Sequence, residues 1–219
     1  MSEAGTEFRA TKDVDIILIL EDRYQEFAMV FWDYIREGGY KCGWKNSESV
    51  HFYRFTEPNS GYPVQIELFS RNPGYHLNAP NGIIPIHISE DISSLSAILL
   101  NDDYYNFMLE GRKNVMGLSV LGAEHLIPFK MYAWLNLKER KAKGEHVNDR
   151  DLRKHKNDVF RLLRIVTIGD KIDTKKYVNE KINEFMREIK KEPVDCEALN
   201  LPFDFDEAME LLRKLYAIV

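Results

Sequence analysis

The spacing of apolar residues changes character once along this chain, and that change restricts the fold more than any other feature. In the first ninety or so residues the apolar runs are short and rich in β-branched and aromatic side chains; beyond them apolar residues recur at helical spacing. "DVDIILIL" (13–20) reads as an inner strand. "DRYQEFAMVFWDYIREGG" follows, with Phe27, Val30, Phe31, Tyr34 and Ile35 on one helical stripe and Gly38-Gly39 as a stop. "SVHFYRFT" and "YPVQIELFS", separated by "EPNSG", predict an antiparallel hairpin. "IIPIHIS" suits a further strand, with Pro85 marking an edge or an irregularity.

The second part reads as helices. "SSLSAILLNDDYYNFMLEG" is helical in pattern, "NVMGLSVLG" suggests one short strand, and "AEHLIPFKMYAWLNLKERKAKG" is a long helix whose basic end suits its dipole. "NDRDLRKHKNDVFRLLRIV" opens with capping residues and keeps Leu152, Val159, Leu162 and Leu163 on one side. Two more helices are expected near 174–190 and 205–217, with "EPVDCEALNLPFD" as the loop between them. The result is an α/β front and a helical back, joined near 92–120 without a flexible linker.

A chain of 219 residues can bury a real core, and 44% hydrophobic with 30% charged residues is the composition of a soluble globular protein. No run approaches the ~18 apolar residues of a membrane helix, so no membrane partner is expected. The N-terminus lacks a basic-then-apolar export pattern, and Cys42 and Cys196 match no metal spacing, so a reduced, cytoplasmic setting is expected. Net charge is −5, yet Arg112 to Lys191 holds 20 Lys/Arg against 11 Asp/Glu. That excess suits either a polyanion such as nucleotide phosphates or RNA, or a merely solvated lysine-rich surface.

Asp13 and Asp15 interrupt the first strand. Residues two apart on a strand share a face, ~6–7 Å apart at their α-carbons, and two like charges at that range call for a cation. Mg²⁺ is the natural one, being hard and oxygen-seeking. Glu67, an acid in the apolar "YPVQIELFSR", is a candidate third ligand from a neighbouring strand. Arg9 and Lys12 place positive charge beside the pair, as an approaching phosphate requires. The plainer alternative is a solvated strand start and an exposed hairpin glutamate. Other chemistries lack support: the six histidines have no zinc spacing, there is no G-x-S-x-G elbow, and neither cysteine has a nucleophile's context. Trp32, Trp134 and "HFYRF" fit core packing, and Asp204 and Asp206 in "FDFDEAMELL" fit helix capping.

"FRATKDVDIIL" resembles the nucleotidyltransferase signature R-x-T-x-D-h-D of the AbiEii-like group of toxin and toxin-related proteins. "LGAEHLIPFKMYAWLNLKER" is similar to that group's helix with an inward lysine, here Lys130. "DLRKHKNDVFRLLRI" is similar to its next helix with a K-x-D core, here Lys156 and Asp158. The likeness spans most of residues 7–166. It implies an α+β fold: a polymerase-β-like mixed sheet flanked by helices in residues 1–92, then a mainly helical portion in residues 93–219. It implies Mg²⁺ (or Mn²⁺) on Asp13, Asp15 and Glu67, and a nucleoside triphosphate contacted by Arg9, Thr11, Lys12, Lys130 and Lys156. Asp158 either holds Lys156 or acts on the acceptor. The activity implied is transfer of a nucleotidyl group to RNA (tRNA among them) or protein, as the toxin of a toxin–antitoxin pair. The group's glycine-rich turn ahead of the first aspartate has no counterpart, since "MSEAGTEFRATK" offers only Gly5. The expectation is therefore that the protein's true start lies upstream of Met1, and two alternatives stay open. One is a catalytically inactive nucleotide-binding or protein-interaction module; the other is a structural protein whose acids are surface residues.

Overall fold

The computed structural model describes residues 13–19, 23–46, 51–71, 85–87, 101–167, 169 and 171–218. Within them the fold is α+β. The elements run β1 (Asp13–Leu18), α1 (Tyr24–Glu37), β2 (Lys41–Asn46), β3 (His51–Thr56), β4 (Gln65–Ser70), β5 (Pro85–His87), α2 (Asp102–Glu110), β6 (Arg112–Val115), β7 (Leu118–Leu121), α3 (Ala123–Ala142), α4 (Asp149–Leu163), α5 (Lys176–Glu188) and α6 (Phe205–Tyr216). The chain divides into two compact units, one within residues 7–96 and one within residues 97–219.

The first unit is a mixed five-stranded sheet in the order β1-β4-β3-β2-β5. β3 and β4 form the antiparallel hairpin expected from their aromatic runs, and β5, opening at Pro85, lies at an edge. β1 pairs with β4 in parallel, which the intervening α1, β2 and β3 make possible. Strand alternation sends Ile16 and Leu18 of β1, Ile66 and Leu68 of β4 and Phe55 of β3 to one face. There they meet Phe31, Trp32 and Ile35 from the apolar stripe of α1. Phe55 is the hub: both Phe31 and Trp32 meet it edge to face, with ring centroids 5.3 and 5.7 Å away. β2 is an element the sequence reading did not include. Its "KCGWKN" has no apolar alternation, and it pairs through its backbone between β3 and β5.

The second unit packs α2 to α6 around Trp134, Phe107, Phe160, Phe185 and Tyr216, all fully buried. The single strand expected in "NVMGLSVLG" is instead a two-stranded hairpin, β6 with β7. Met116 and Gly117 turn the chain with φ of +52° and +83°, the left-handed pair that a two-residue hairpin connection requires. Asp204 caps α6 and Glu207 returns the bond to the cap's own backbone, a full capping box.

α3 contains Pro128, beyond its first turn. A proline has no N–H, so the carbonyl of Glu124 loses its intrahelical donor. Tyr216, near the end of α6, supplies a replacement: its hydroxyl donates to that carbonyl at 2.7 Å. Tyr104 of α2 donates likewise to the carbonyl of Pro128 at 3.3 Å. The helix break therefore becomes the point where α2, α3 and α6 are tied together. Among the described residues no helix is long and apolar enough to cross a membrane.

Tyr216→Phe strands a buried acceptor and should cost about 1–3 kcal/mol in urea denaturation. In a Pro128→Ala background, where the alanine N–H can reach Glu124, the same substitution should cost clearly less. Equal costs in both backgrounds would show that the tyrosine does not stand in for the missing donor.

Candidate functional site

The site begins with register. The parallel pairing of β1 and β4 sets Asp15 beside Glu67 and Asp13 beside Gln65, and the β3–β4 hairpin sets Arg54 beside Glu67 on the other side. Laterally paired residues point to the same face, so Arg54, Glu67 and Asp15 form one row across three strands, with Gln65 and Asp13 one step along. This face is opposite the one that carries Ile66, Leu68 and α1. Ile16, Leu18, Ile66 and Leu68 go one way and the acids go the other, with Ile17 and the buried Phe69 following the acids further along the same face.

Within the row Glu67 is 7% exposed, while Asp13 and Asp15 are exposed. One oxygen of Glu67, Oε1, collects three donors: Arg54 Nε at 2.9 Å, Arg54 Nη2 at 2.9 Å and Gln65 Nε2 at 3.1 Å. Burial nevertheless pushes the Glu67 carboxyl up, to about 7. The Arg54 guanidinium pulls it back, and the negative charge of the neighbouring Asp15 raises it further. Two carboxylates side by side in register repel, and a proton on the buried Glu67 or a nearby cation relieves that repulsion.

The donor set fits a hard divalent ion. Asp13 and Asp15 offer solvent-facing carboxylate oxygens on one face, and Glu67 lies in register beside them. Among the described residues no three His, Cys, Asp or Glu side chains stand close enough to close on one metal ion as they are placed. Arg54 already takes one side of Glu67, while Asp13 and Asp15 are exposed.

Arg9, Thr11 and Lys12 fall outside the described residues. Lys130 is half-buried on α3, and Lys156 and Asp158 are on α4, all in the helical unit. Positions i and i+2 of a helix point to different sides, and Lys156 and Asp158 accordingly have different partners. Lys156 Nζ donates to Glu192 at 3.2 Å from its Oε2 and 3.3 Å from its backbone carbonyl. Asp158 is buried and accepts from Arg161 Nη1 at 3.3 Å.

Arg54 and Gln65 are the members of the site that sequence reasoning passed over. Arg54 sits alone in the aromatic "HFYRFT", and a hairpin that pairs Thr56 with Gln65 must pair Arg54 with Glu67. That opposite-charge cross-strand pair was the available signal. No protein-family model, curated protein or solved structure matches this chain.

A carboxyl raised in the folded state stabilises the fold below its ordinary pKa, near 4.5, and loses that contribution as pH rises toward about 7. The stability of the wild type relative to Glu67→Gln should therefore fall with rising pH across that window, by up to about 3 kcal/mol. Chemical denaturation at pH 4.5 and pH 8 reads this directly, and a difference that is flat or grows with pH refutes the assigned burial of the charge.

Proposed function

We propose that this chain is a nucleotidyltransferase of the polymerase-β-like superfamily, in the AbiEii-like toxin group. It uses Mg²⁺ or Mn²⁺ and a nucleoside triphosphate to place a nucleotidyl group on an RNA or protein acceptor, and it acts as the toxin of a toxin–antitoxin pair. The observation that carries this reading is the row of Asp15 and Glu67 in register with Asp13 one step away, acids gathered on one face of a sheet whose other face is apolar. The resemblance of "FRATKDVDIIL" and of the α3 and α4 segments supplies the reaction class.

In this reading Asp13, Asp15 and Glu67 hold the divalent ion, which supplies charge neutralisation at the phosphates. Arg54 and Gln65 fix the Glu67 carboxyl by its Oε1 and keep it aimed along the row. The acceptor's hydroxyl oxygen bonds the α-phosphorus, the bond to the leaving pyrophosphate breaks, and the hydroxyl proton passes to the carboxylate row. Arg9, Thr11, Lys12, Lys130 and Lys156 are assigned to the triphosphate, and Asp158 to the acceptor, on the resemblance alone.

One observation favours a second reading, a nucleotide-binding module without turnover. Arg54 already compensates Glu67 at 2.9 Å, so the row is partly neutralised without a metal.

With α-phosphate-radiolabelled nucleotides, Mg²⁺ and total cellular RNA and protein, the full chain should label a macromolecule. Asp13→Asn with Asp15→Asn should lower that transfer by about 100-fold or more. Full activity in the double variant overturns the proposal. Stabilisation by Mg²⁺ and nucleotide without any transfer establishes the second reading.

A further inference from the structure

A cleft of about 640 Å³ opens in the helical unit between the C-terminal half of α3 and the start of α4, a size that built ligand sites share. Four cations line it, Lys138 and Lys141 from α3 and Arg153 and Lys156 from α4, against two carboxylates, Asp149 and Glu192. Each helix contributes its cations one turn apart, so the charge is laid out in two short rows and not at one point. The surrounding stretch, Arg112 to Lys191, carries the local excess of 20 Lys/Arg over 11 Asp/Glu.

Glu192 shows how this cleft treats an anion. Its Oε1 lies 2.9 Å from Lys138 Nζ and its Oε2 3.2 Å from Lys156 Nζ, so a single carboxylate bridges the two helices. Burial raises the Glu192 carboxyl, and the two ammonium groups outweigh that and hold it below the usual range. The side chain stands just past the short 3₁₀ turn Ile189–Lys191 and is 42% exposed. Lys138 and Lys156 are 30% and 15% exposed, so the carboxylate's outer side is the part of this pair that another anion can reach and replace. Lys141 is held by Asp149 in the same way at 2.5 Å, both side chains exposed. Lys138 also lies 4.5 Å from the centre of the Trp134 ring, which fixes its ammonium over the cleft floor. That ring is fully buried, so no aromatic face is offered to a base.

We propose that this cleft binds the phosphate backbone of a single-stranded nucleic acid, with Glu192 as the internal anion that keeps Lys138 and Lys156 in place until the strand replaces it. The inference rests on the transferase reading only in making that strand the acceptor. It moves Lys156 from the triphosphate to the acceptor backbone. Recognition is by charge and spacing, independent of base identity, because hydrogen-bond donors to phosphate carry no sequence information.

The test is fluorescence anisotropy of the full chain with a fluorescein-labelled oligouridine, titrated over a range of salt without nucleotide or metal. Lys138→Gln with Lys156→Gln should weaken binding about tenfold and reduce the salt slope by about 1.4. Glu192→Gln should tighten binding severalfold, since it removes the anion that bridges both lysines and leaves Lys156 without that partner and Lys138 with Glu188 alone, at 3.3 Å. Oligodeoxythymidine should bind comparably. Binding that Glu192→Gln weakens or leaves unchanged overturns the proposal, as does a two-lysine variant equal to the wild type. Competition by inorganic phosphate as strong as by the oligonucleotide shows a lone-anion pocket and overturns it too. Asp13→Asn with Asp15→Asn should bind the strand as the wild type does. In the wild type, strand binding without any transfer counts against the transferase reading alone, and transfer without strand binding counts against the cleft alone.

Discussion

The parallel pairing of β1 with β4 is the constraint on which the candidate site depends. It joins two segments about fifty residues apart, and its register decides whether Asp15 meets Glu67 at all. A slip of one residue would turn Asp13 and Asp15 toward α1 and send Ile16 and Leu18 to the acidic face. The apolar alternation of β1 forbids that, because Leu18, Ile66, Leu68 and Phe55 must share the face that α1 covers. The carboxylate row is thus a by-product of core packing on the other side of the same strands. Hydrophobic burial places the charges; their own interactions then adjust proton affinity.

The helical unit follows a similar logic with different materials. Pro128 breaks the bonding of α3, and the freed carbonyl is satisfied from α6 through Tyr216. α3 therefore serves two neighbours at once. Its first half is pinned by tyrosine hydroxyls from α2 and α6, and its second half presents Trp134 inward to Phe185 and Lys138 and Lys141 outward to the cleft. A helix fixed at its broken end holds the cations at its far end in a defined place relative to α4.

Much of this was legible in the sequence, for physical reasons that differ by element. β1, α1, the β3–β4 hairpin, α3, α4 and α6 carry strong periodicity or explicit punctuation: Gly38-Gly39, "EPNSG", and Asp204 with Glu207 three residues on. β2 was not legible, because "KCGWKN" owes its extended form to two neighbouring strands and not to its own side chains. The β6–β7 hairpin was hidden for the opposite reason: its turn is the non-standard pair Met116-Gly117, and Met is not a residue that announces φ above zero. In the site, the shared face of Asp13 and Asp15 followed from strand period alone. Arg54 required register, and register belongs to the hairpin and not to any local pattern. Glu192 required tertiary structure outright, since 36 residues separate it from Lys156.

The two carboxylates that matter, Glu67 and Glu192, are each met by cations of the chain itself, and their burial separates their roles. Glu67 is almost fully enclosed, and removing Arg54 would leave it with Gln65 but without a counter-charge, a costly change for a buried carboxylate. That pair is a fixture, so a cation arriving at the sheet must build on the exposed Asp13 and Asp15 while Arg54 stays where it is. Glu192 is 42% exposed, so water and other anions reach it on one side. The same chemistry, a carboxylate held by positive groups, is therefore enclosed on the sheet and reachable from water in the cleft. The difference lies in the dielectric around each pair rather than in the residues that form it.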